Sequence, residues 1–321
     1  MSFPESFFRK PIGVYYKALL YMSSLAQWNK KNKLVQCQVC GSNSIKKMDR
    51  FPIKTFPILF EKKHLLRKLF YLENLPLSDI KKKKIINIGL EYADGNSYVD
   101  YMLCNNCDCL NQNYPHSNEA IEIFYHSYSK YLRRKREGSD QAFKAVHLQF
   151  EMISDYVVKN LGGKGKALEI GCAEGQFVAS LRGRGWDAHG IDPNERHITI
   201  GRAELNLDTI NPGFYNVQSY PPGSFDLILS VHVIEHVVDV QQFIKDMFFH
   251  LKPGGTILIY TPCSEATQRR FLDGVSPRKI KSLAYAHPVI YSTRYMSNLL
   301  EESRFKVAKV EVAAIPEEAF Y

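Results

Sequence analysis

No stretch of the 321 residues approaches the roughly 20 consecutive apolar positions that span a bilayer, and the N-terminus shows no compact apolar signal region. The expectation is a cytoplasmic protein with no transmembrane segment. Internal repeats and low-complexity tracts are also missing, which leaves ordinary folded domains. Cysteine is scarce. The chain has seven, four of them in two close pairs, too few for a disulfide framework at this length. Paired Cys-x-x-Cys in a cytosolic chain more often holds metal. A hydrophobic fraction of 45% and a charged fraction of 23% exclude a largely disordered chain. The length suits one large domain plus a small one.

Acidic residues are thin in the front of the chain. Residues 1 to 136 hold 23 Lys and Arg against 11 Asp and Glu, whereas the remainder holds 19 against 22. A one-sided basic excess favours an anionic partner such as a nucleotide sugar, a phospholipid surface or RNA, without choosing among them. The run Lys81, Lys82, Lys83, Lys84 also reads simply as a solvated loop.

Residues 7 to 28 place Val14, Ala18, Tyr21, Leu25 and Trp28 at helical spacing. A helix docked on the protein's own body accounts for this, and a membrane-surface helix flanked by Arg9, Lys10 and Lys17 is the alternative. The patterns KIINIGLEY and SYVDYMLC around Asp94-Gly95-Asn96 predict a β-hairpin over 84 to 104 that runs into Cys104. From 116 to 160 the pattern is helical, with Tyr125, Tyr128 and Tyr131 on one stripe. Strands and helices then alternate to about residue 262, which predicts a parallel sheet covered on both faces. The expected organisation is an N-terminal arm (1–35), a metal-binding module (36–115), a helical linker or lid (116–160) and an α/β domain (161–321).

The turn in Glu169-Ile170-Gly171-Cys172-Ala173-Glu174-Gly175 follows a strand and opens a helix, and Asp192 ends the next strand. Glycines at such a turn let backbone approach a ligand closely, and a carboxylate at the second strand's end can accept hydrogen bonds from ribose hydroxyls. A dinucleotide fingerprint would instead read G-x-G-x-x-G, and Glu174 stands where its diphosphate would pass.

Together with Gly223-Ser224-Phe225-Asp226-Leu227-Ile228, Glu235-His236 and Leu251-Lys252-Pro253-Gly254-Gly255, these segments resemble class I methyltransferases dependent on S-adenosylmethionine (SAM). The resemblance implies a Rossmann-like α/β fold with helices on both faces of the sheet. It places Glu169, Gly171, Ala173 and Gly175 around the methionine and ribose parts of SAM, and Asp192 with the adjoining Pro193 at the ribose. The family usually has an acidic residue near the adenine amino group, but the stretch 211–217 has none. Asn216 or a backbone group is the expected substitute there, with Phe214 stacking on the ring. The family sheet also closes with an antiparallel strand pair, yet only nine residues follow Val312.

Cys37, Cys40, Cys104 and Cys107 supply four thiolates, the number a closed tetrahedral zinc site requires, with Cys109 an alternative to Cys107. Four sulfur ligands leave no open position, so the expected zinc is structural, in a zinc-ribbon-like β module. A zinc knuckle pair ahead of this core is similar to sugar C-methyltransferases and polysaccharide-pathway methyltransferases. Those carry a further C-terminal domain, so their acceptor pocket transfers only in part.

Methyl transfer needs an aligned nucleophile and, for a hydroxyl or carbon acid, removal of its proton. Candidate bases His232, Glu235 and His236 follow the fourth strand at the rim where open α/β sheets bind ligands. The sugar enzymes make Glu235 and His236 the preferred pair, and His287 comes from the segment that usually walls the acceptor pocket. Packing accounts for each of these residues too. The acceptor expected is a small anionic molecule: a sugar, nucleotide sugar or lipid-linked glycan. RNA is the alternative, since some rRNA enzymes pair a zinc ribbon with this core, although the N/D-P-P-Y motif of base-nitrogen methylation is absent. Intact cofactor motifs count against a non-catalytic binding module.

Overall fold

The computed structural model describes residues 36–52, 98–112, 140–275, 280 and 287–312. The expected N-terminal helix, the Lys81–Lys84 run, the first strand of the 84–104 hairpin and the Tyr125–Tyr131 stripe lie outside these. The chain divides into two units, one of residues 1–131 with 267–290, the other of 132–266 with 291–321.

The front unit is a four-stranded antiparallel sheet in the order β1 (Ile45–Pro52), β2 (Tyr98–Cys104), β3 (Leu110–Gln112), β9 (Val289–Ile290). β2 is the second strand of the expected hairpin, and its partner on one side is β1, with Ile45 opposite Cys104. β1 thus leaves one cysteine knuckle where β2 runs into the other. β9 closes the sheet, with Leu110 opposite Ile290. Tyr101, Leu110 and Ile290 are fully buried together and form the unit's small core. β3 pairs with residues 289–290, and the segment 267–290 groups with the front sheet.

The second unit opens with α1 (Asp140–Leu161) and continues with β4 (Lys166–Ile170), α2 (Gln176–Arg182), β5 (Asp187–Asp192), α3 (Glu195–Leu205) and β6 (Ile210–Pro212). β7 (Phe225–Val231), a 3-10 turn (Ile234–His236), α4 (Val240–His250) and β8 (Leu251–Tyr260) follow; α5 (Ser264–Leu272) begins in this unit and from Thr267 on is grouped with the front one, and α6 (Thr293–Glu302) lies again in the second unit. The sheet order is β6-β5-β4-β7-β8, and every pairing is parallel. Parallel strands covered on both faces read as near-continuous apolar runs, and FDLILSV in β7 is such a run. Leu168, Leu227 and Leu229 are wholly buried in it and its neighbour. Helix starts are defined by side-chain caps: Asn194 accepts from Arg196 and His197 N–H, Asp239 from Gln242 N–H, and Ser292 from Tyr295 N–H.

Strand order reverses between β4 and β7, so the carboxyl ends of these strands flank the crevice where such sheets bind ligands. Among the described residues this sheet has five strands, and residues 305–312 carry none despite their alternating pattern. No described helix is long and apolar enough to cross a membrane.

Candidate cofactor and catalytic site

Three loops meet the switch point of the second unit: 171–175 after β4, 192–194 after β5, and 232–236 after β7. The first is shaped by Gly171 and Gly175, whose φ of 74° and 81° lie in the left-handed region that side chains avoid. A Cβ on Gly171 would collide with Cγ2 of Val233, so the loop after β7 packs directly on the glycine turn. Ala173 adopts φ 48° without being glycine, a conformation uncommon enough to mark a shaped loop. Cys172 is buried beside the turn, its Sγ near the Cα of Gly190 where a Cβ would sit 2.6 Å away. Burial raises its thiol pKa, followed by the charges of Glu169 and Asp192, so it is not a ready nucleophile.

Two buried carboxylates form the floor. Asp192 is 8% exposed; its Oδ2 accepts the Ala173 N–H at 3.0 Å and its Oδ1 the Asn194 N–H at 2.8 Å. Burial pushes its pKa up, while the Asn194 N–H, nearby His197 and the Ala173 N–H pull it back. Pro193 leads from this carboxylate into the Asn194 cap of α3. Glu169 is 3% exposed, and the Val178 N–H in the first turn of α2 donates to its carboxylate. Its Oε2 has no hydrogen-bond partner among the described residues. Burial, then the Asp192 charge, hold its pKa well above the carboxylate range. An unmatched, buried acceptor next to a second carboxylate favours a cationic, hydroxyl-bearing ligand and repels a diphosphate.

On the rim, Glu235 is 1% exposed and both of its oxygens are engaged. Oε1 lies 3.4 Å from His232 Nδ1, and Oε2 accepts from Thr261 Oγ1 at 2.9 Å. His232, half-buried, sits at φ 55°, its backbone N–H donating to the Tyr260 carbonyl and its ring edge-on to Tyr260 at 5.1 Å. His236 is half-buried in the 3-10 turn and gives its N–H to the Val233 carbonyl. His287 belongs to the front unit, where its carbonyl accepts from Tyr101 Oη at 3.0 Å and Gln112 Nε2 at 2.9 Å. The structure thus sets Glu235 against His232, and it also brings a His236 ring nitrogen within 4.8 Å of a Glu235 oxygen. Thr261 escaped the sequence reading, its only signal being its place immediately after β8.

The stretch 211–217 also departs from expectation. Asn216 turns its side chain to its own loop, accepting from Gln218 N–H and donating to the Phe214 carbonyl, which leaves one amide N–H and one oxygen lone pair. Phe214 is half-exposed beside it.

In the front unit, the Sγ atoms of Cys37, Cys40, Cys104 and Cys107 all lie within 4.8 Å of one another. Cys109 stands outside this cluster, buried, its thiol directed to the Cys107 carbonyl. Cys37 Sγ accepts from Val39 N–H and Asn111 Nδ2, both at 3.4 Å, and Cys40 Sγ from Asn106 Nδ2 at 3.5 Å. Donors aimed at sulfur suit thiolates. Without a cation the contact with Cys107, and then burial, push the Cys37 thiol up to about 12. The donor set is that of a closed, four-sulfur zinc site.

A parallel sheet with a glycine turn after its central strand and a carboxylate after the next defines a nucleotide-binding doubly wound domain. The profile of the family described as Methyltransferase domain matches residues 141–310, more than half of the chain, and the chain belongs to that family. A curated relative from Rickettsia conorii, named ubiquinone biosynthesis O-methyltransferase, is 25% identical over 162 residues, covering 49% of this chain and 54% of the relative. The protein of the same name from Bradyrhizobium diazoefficiens is 35% identical over 106 residues, 32% of this chain and 41% of the relative. The chain spans about half the length of the curated relatives it matches. A SAM-dependent methyltransferase structure from Thermotoga maritima aligns at 20% identity over 56% of this chain and 80% of that one, with a TM-score of 0.39.

Proposed function

We propose that this chain transfers a methyl group from SAM to a small-molecule acceptor. The observation that carries this is the unpartnered Oε2 of buried Glu169 beside Asp192, in a chain of the methyltransferase-domain family. Glu169, Gly171, Ala173, Gly175, Asp192 and Pro193 would hold SAM, whose positive charge suits the Asp192 carboxylate and whose hydroxyls Asp192 accepts. Bound there, SAM supplies an electrophilic methyl group.

The acceptor reading is a hydroxyl of a sugar, nucleotide sugar or lipid-linked glycan. The basic excess of residues 1 to 136 favours an anionic acceptor, and the curated relatives are named for O-methylation of a small molecule. The residues after β7, among them Glu235 and His236, are assigned to the acceptor's proton. We further infer that Cys37, Cys40, Cys104 and Cys107 hold one structural zinc, because a tetrathiol cluster this close is stabilised by a cation that keeps the sulfurs ionised.

The test is methyl incorporation from radiolabelled SAM into separated small-molecule, glycolipid and RNA pools. Label in the first two supports the reading. Ribonuclease-sensitive label moves the acceptor to RNA, and SAM that does not bind at all removes the proposal.

A further inference from the structure

Resting on the methyltransferase reading, we propose that His232 is the general base of the reaction and that Glu235 is its positioning residue, held in turn by Thr261. The geometry is that of an oriented imidazole: a ring nitrogen against a carboxylate, with the carboxylate locked from behind. Glu235 Oε1 faces His232 Nδ1 at 3.4 Å while Thr261 Oγ1 donates to Oε2 at 2.9 Å. Glu235 is 1% exposed, so this carboxylate is sealed from solvent and cannot itself reach an acceptor. His232 can: its side chain is 32% exposed. A carboxylate at Nδ1 selects the tautomer with the proton on that atom and leaves Nε2 as the basic nitrogen.

Position supports the same assignment. His232 is the first residue beyond β7, on one side of the switch point, and its neighbour Val233 packs on Gly171 of the cofactor turn. Its φ of 55° is costly for a residue with a Cβ, and such strain concentrates at functional sites. Three fixed contacts maintain it: the N–H to the Tyr260 carbonyl, the edge-on Tyr260 ring and the Glu235 carboxylate. Ile234, fully buried, anchors the 3-10 turn that presents Glu235.

In the proposed step the acceptor O–H gives its proton to His232 Nε2. The oxygen lone pair forms the new O–C bond to the methyl carbon, the C–S bond breaks with its electron pair passing to sulfur, and the imidazolium then returns the proton to solvent. Charge balances: the sulfonium's positive charge leaves as that proton. The Glu235 carboxylate beside Nδ1 steadies the imidazolium.

The test begins on the intact chain without SAM. Imidazole nitrogen NMR should show the neutral ring of His232 with Nδ1 protonated and Nε2 bare, and Glu235→Gln should abolish that bias. An Nε2-protonated His232 in the unaltered protein overturns the proposal. Turnover is then read with radiolabelled SAM and the small-molecule fraction that the unaltered protein labels. His232→Asn is the variant of choice because asparagine tolerates the left-handed backbone. It should cut kcat by about 10²- to 10⁴-fold while calorimetry gives SAM affinity within about twofold, and free imidazole should restore part of the rate to His232→Ala. Undiminished turnover in His232→Asn with normal SAM binding overturns the assignment and leaves the methyltransferase reading standing. Failure of the unaltered protein to bind SAM overturns both.

Discussion

Replacing Asp192 by alanine should weaken SAM binding far more than it weakens the fold, and the structure sets the size of the effect. The carboxylate holds the Ala173 N–H at 3.0 Å and the Asn194 N–H at 2.8 Å, tying the glycine turn to the start of α3. In the proposed complex its remaining lone pairs take the ribose hydroxyls. A hydrogen bond to a charged group contributes about 1.5–3 kcal/mol, so loss of that one function should weaken SAM by about 10- to 150-fold. Asp192 also raises the pKa of Glu169, and its removal lets Glu169 ionise more readily. That change favours a cationic ligand and draws the expected loss toward the lower end of the range. Asp192→Asn separates the contributions in part, since it keeps an acceptor for Asn194 while losing the charge and turning an NH2 donor toward the Ala173 N–H. Calorimetry with SAM measures the affinities, and thermal melting of the same samples checks that each variant is folded. Unchanged SAM affinity in folded Asp192→Ala would refute the ribose assignment.

Other outcomes follow from the same contacts. Reduced, freshly purified protein should contain one zinc per chain, Cys37→Ser should lose it, and chelation should raise hydrogen exchange first in residues 36–52 and 98–112; metal analysis without zinc sinks this. Gly201→Ala should lower the melting temperature by several degrees, because its Cβ would strike the Glu174 carbonyl and overpacking of this kind costs about 1–3 kcal/mol; an unchanged melting curve contradicts it. Glu169 binds its proton more tightly folded than unfolded, so its contribution to stability is fully present below the unfolded value of about 4.3 and is lost as pH rises through the raised folded value. Glu169→Gln should therefore flatten the fall in melting temperature from pH 5 upward, and parallel curves for the two proteins would argue against it.

The sheet of the second unit was legible in the sequence because its signals are local. A run such as FDLILSV, a glycine turn and a capped helix each follow from neighbours within ten residues, and all appear where the pattern put them. The four knuckle cysteines were legible for the same reason, as two short motifs. What escaped depends on contacts distant in sequence. β1, a lysine-rich strand IKKMDRFP, has little strand pattern of its own and is defined by its pairing with β2. Thr261 matters only because β8 ends beside Glu235, and no spacing rule links the two. Alternating residues 305–312 carry a strand's pattern yet no strand, since alternation alone supplies no hydrogen-bonding partner.

The pairing of Leu110 with Ile290 also has a consequence for synthesis. A ribosome delivers the two cysteine knuckles and their three strands early, but the fourth strand of that sheet appears only after nearly all of the second unit has emerged. Until then the outer edge of β3 stays open, its backbone groups satisfied by water or by a neighbouring chain. At typical elongation rates of about 5–20 residues per second this exposure lasts on the order of ten to forty seconds. Fragments that stop before residue 290 should keep that edge permanently, and they are the forms of this protein expected to aggregate.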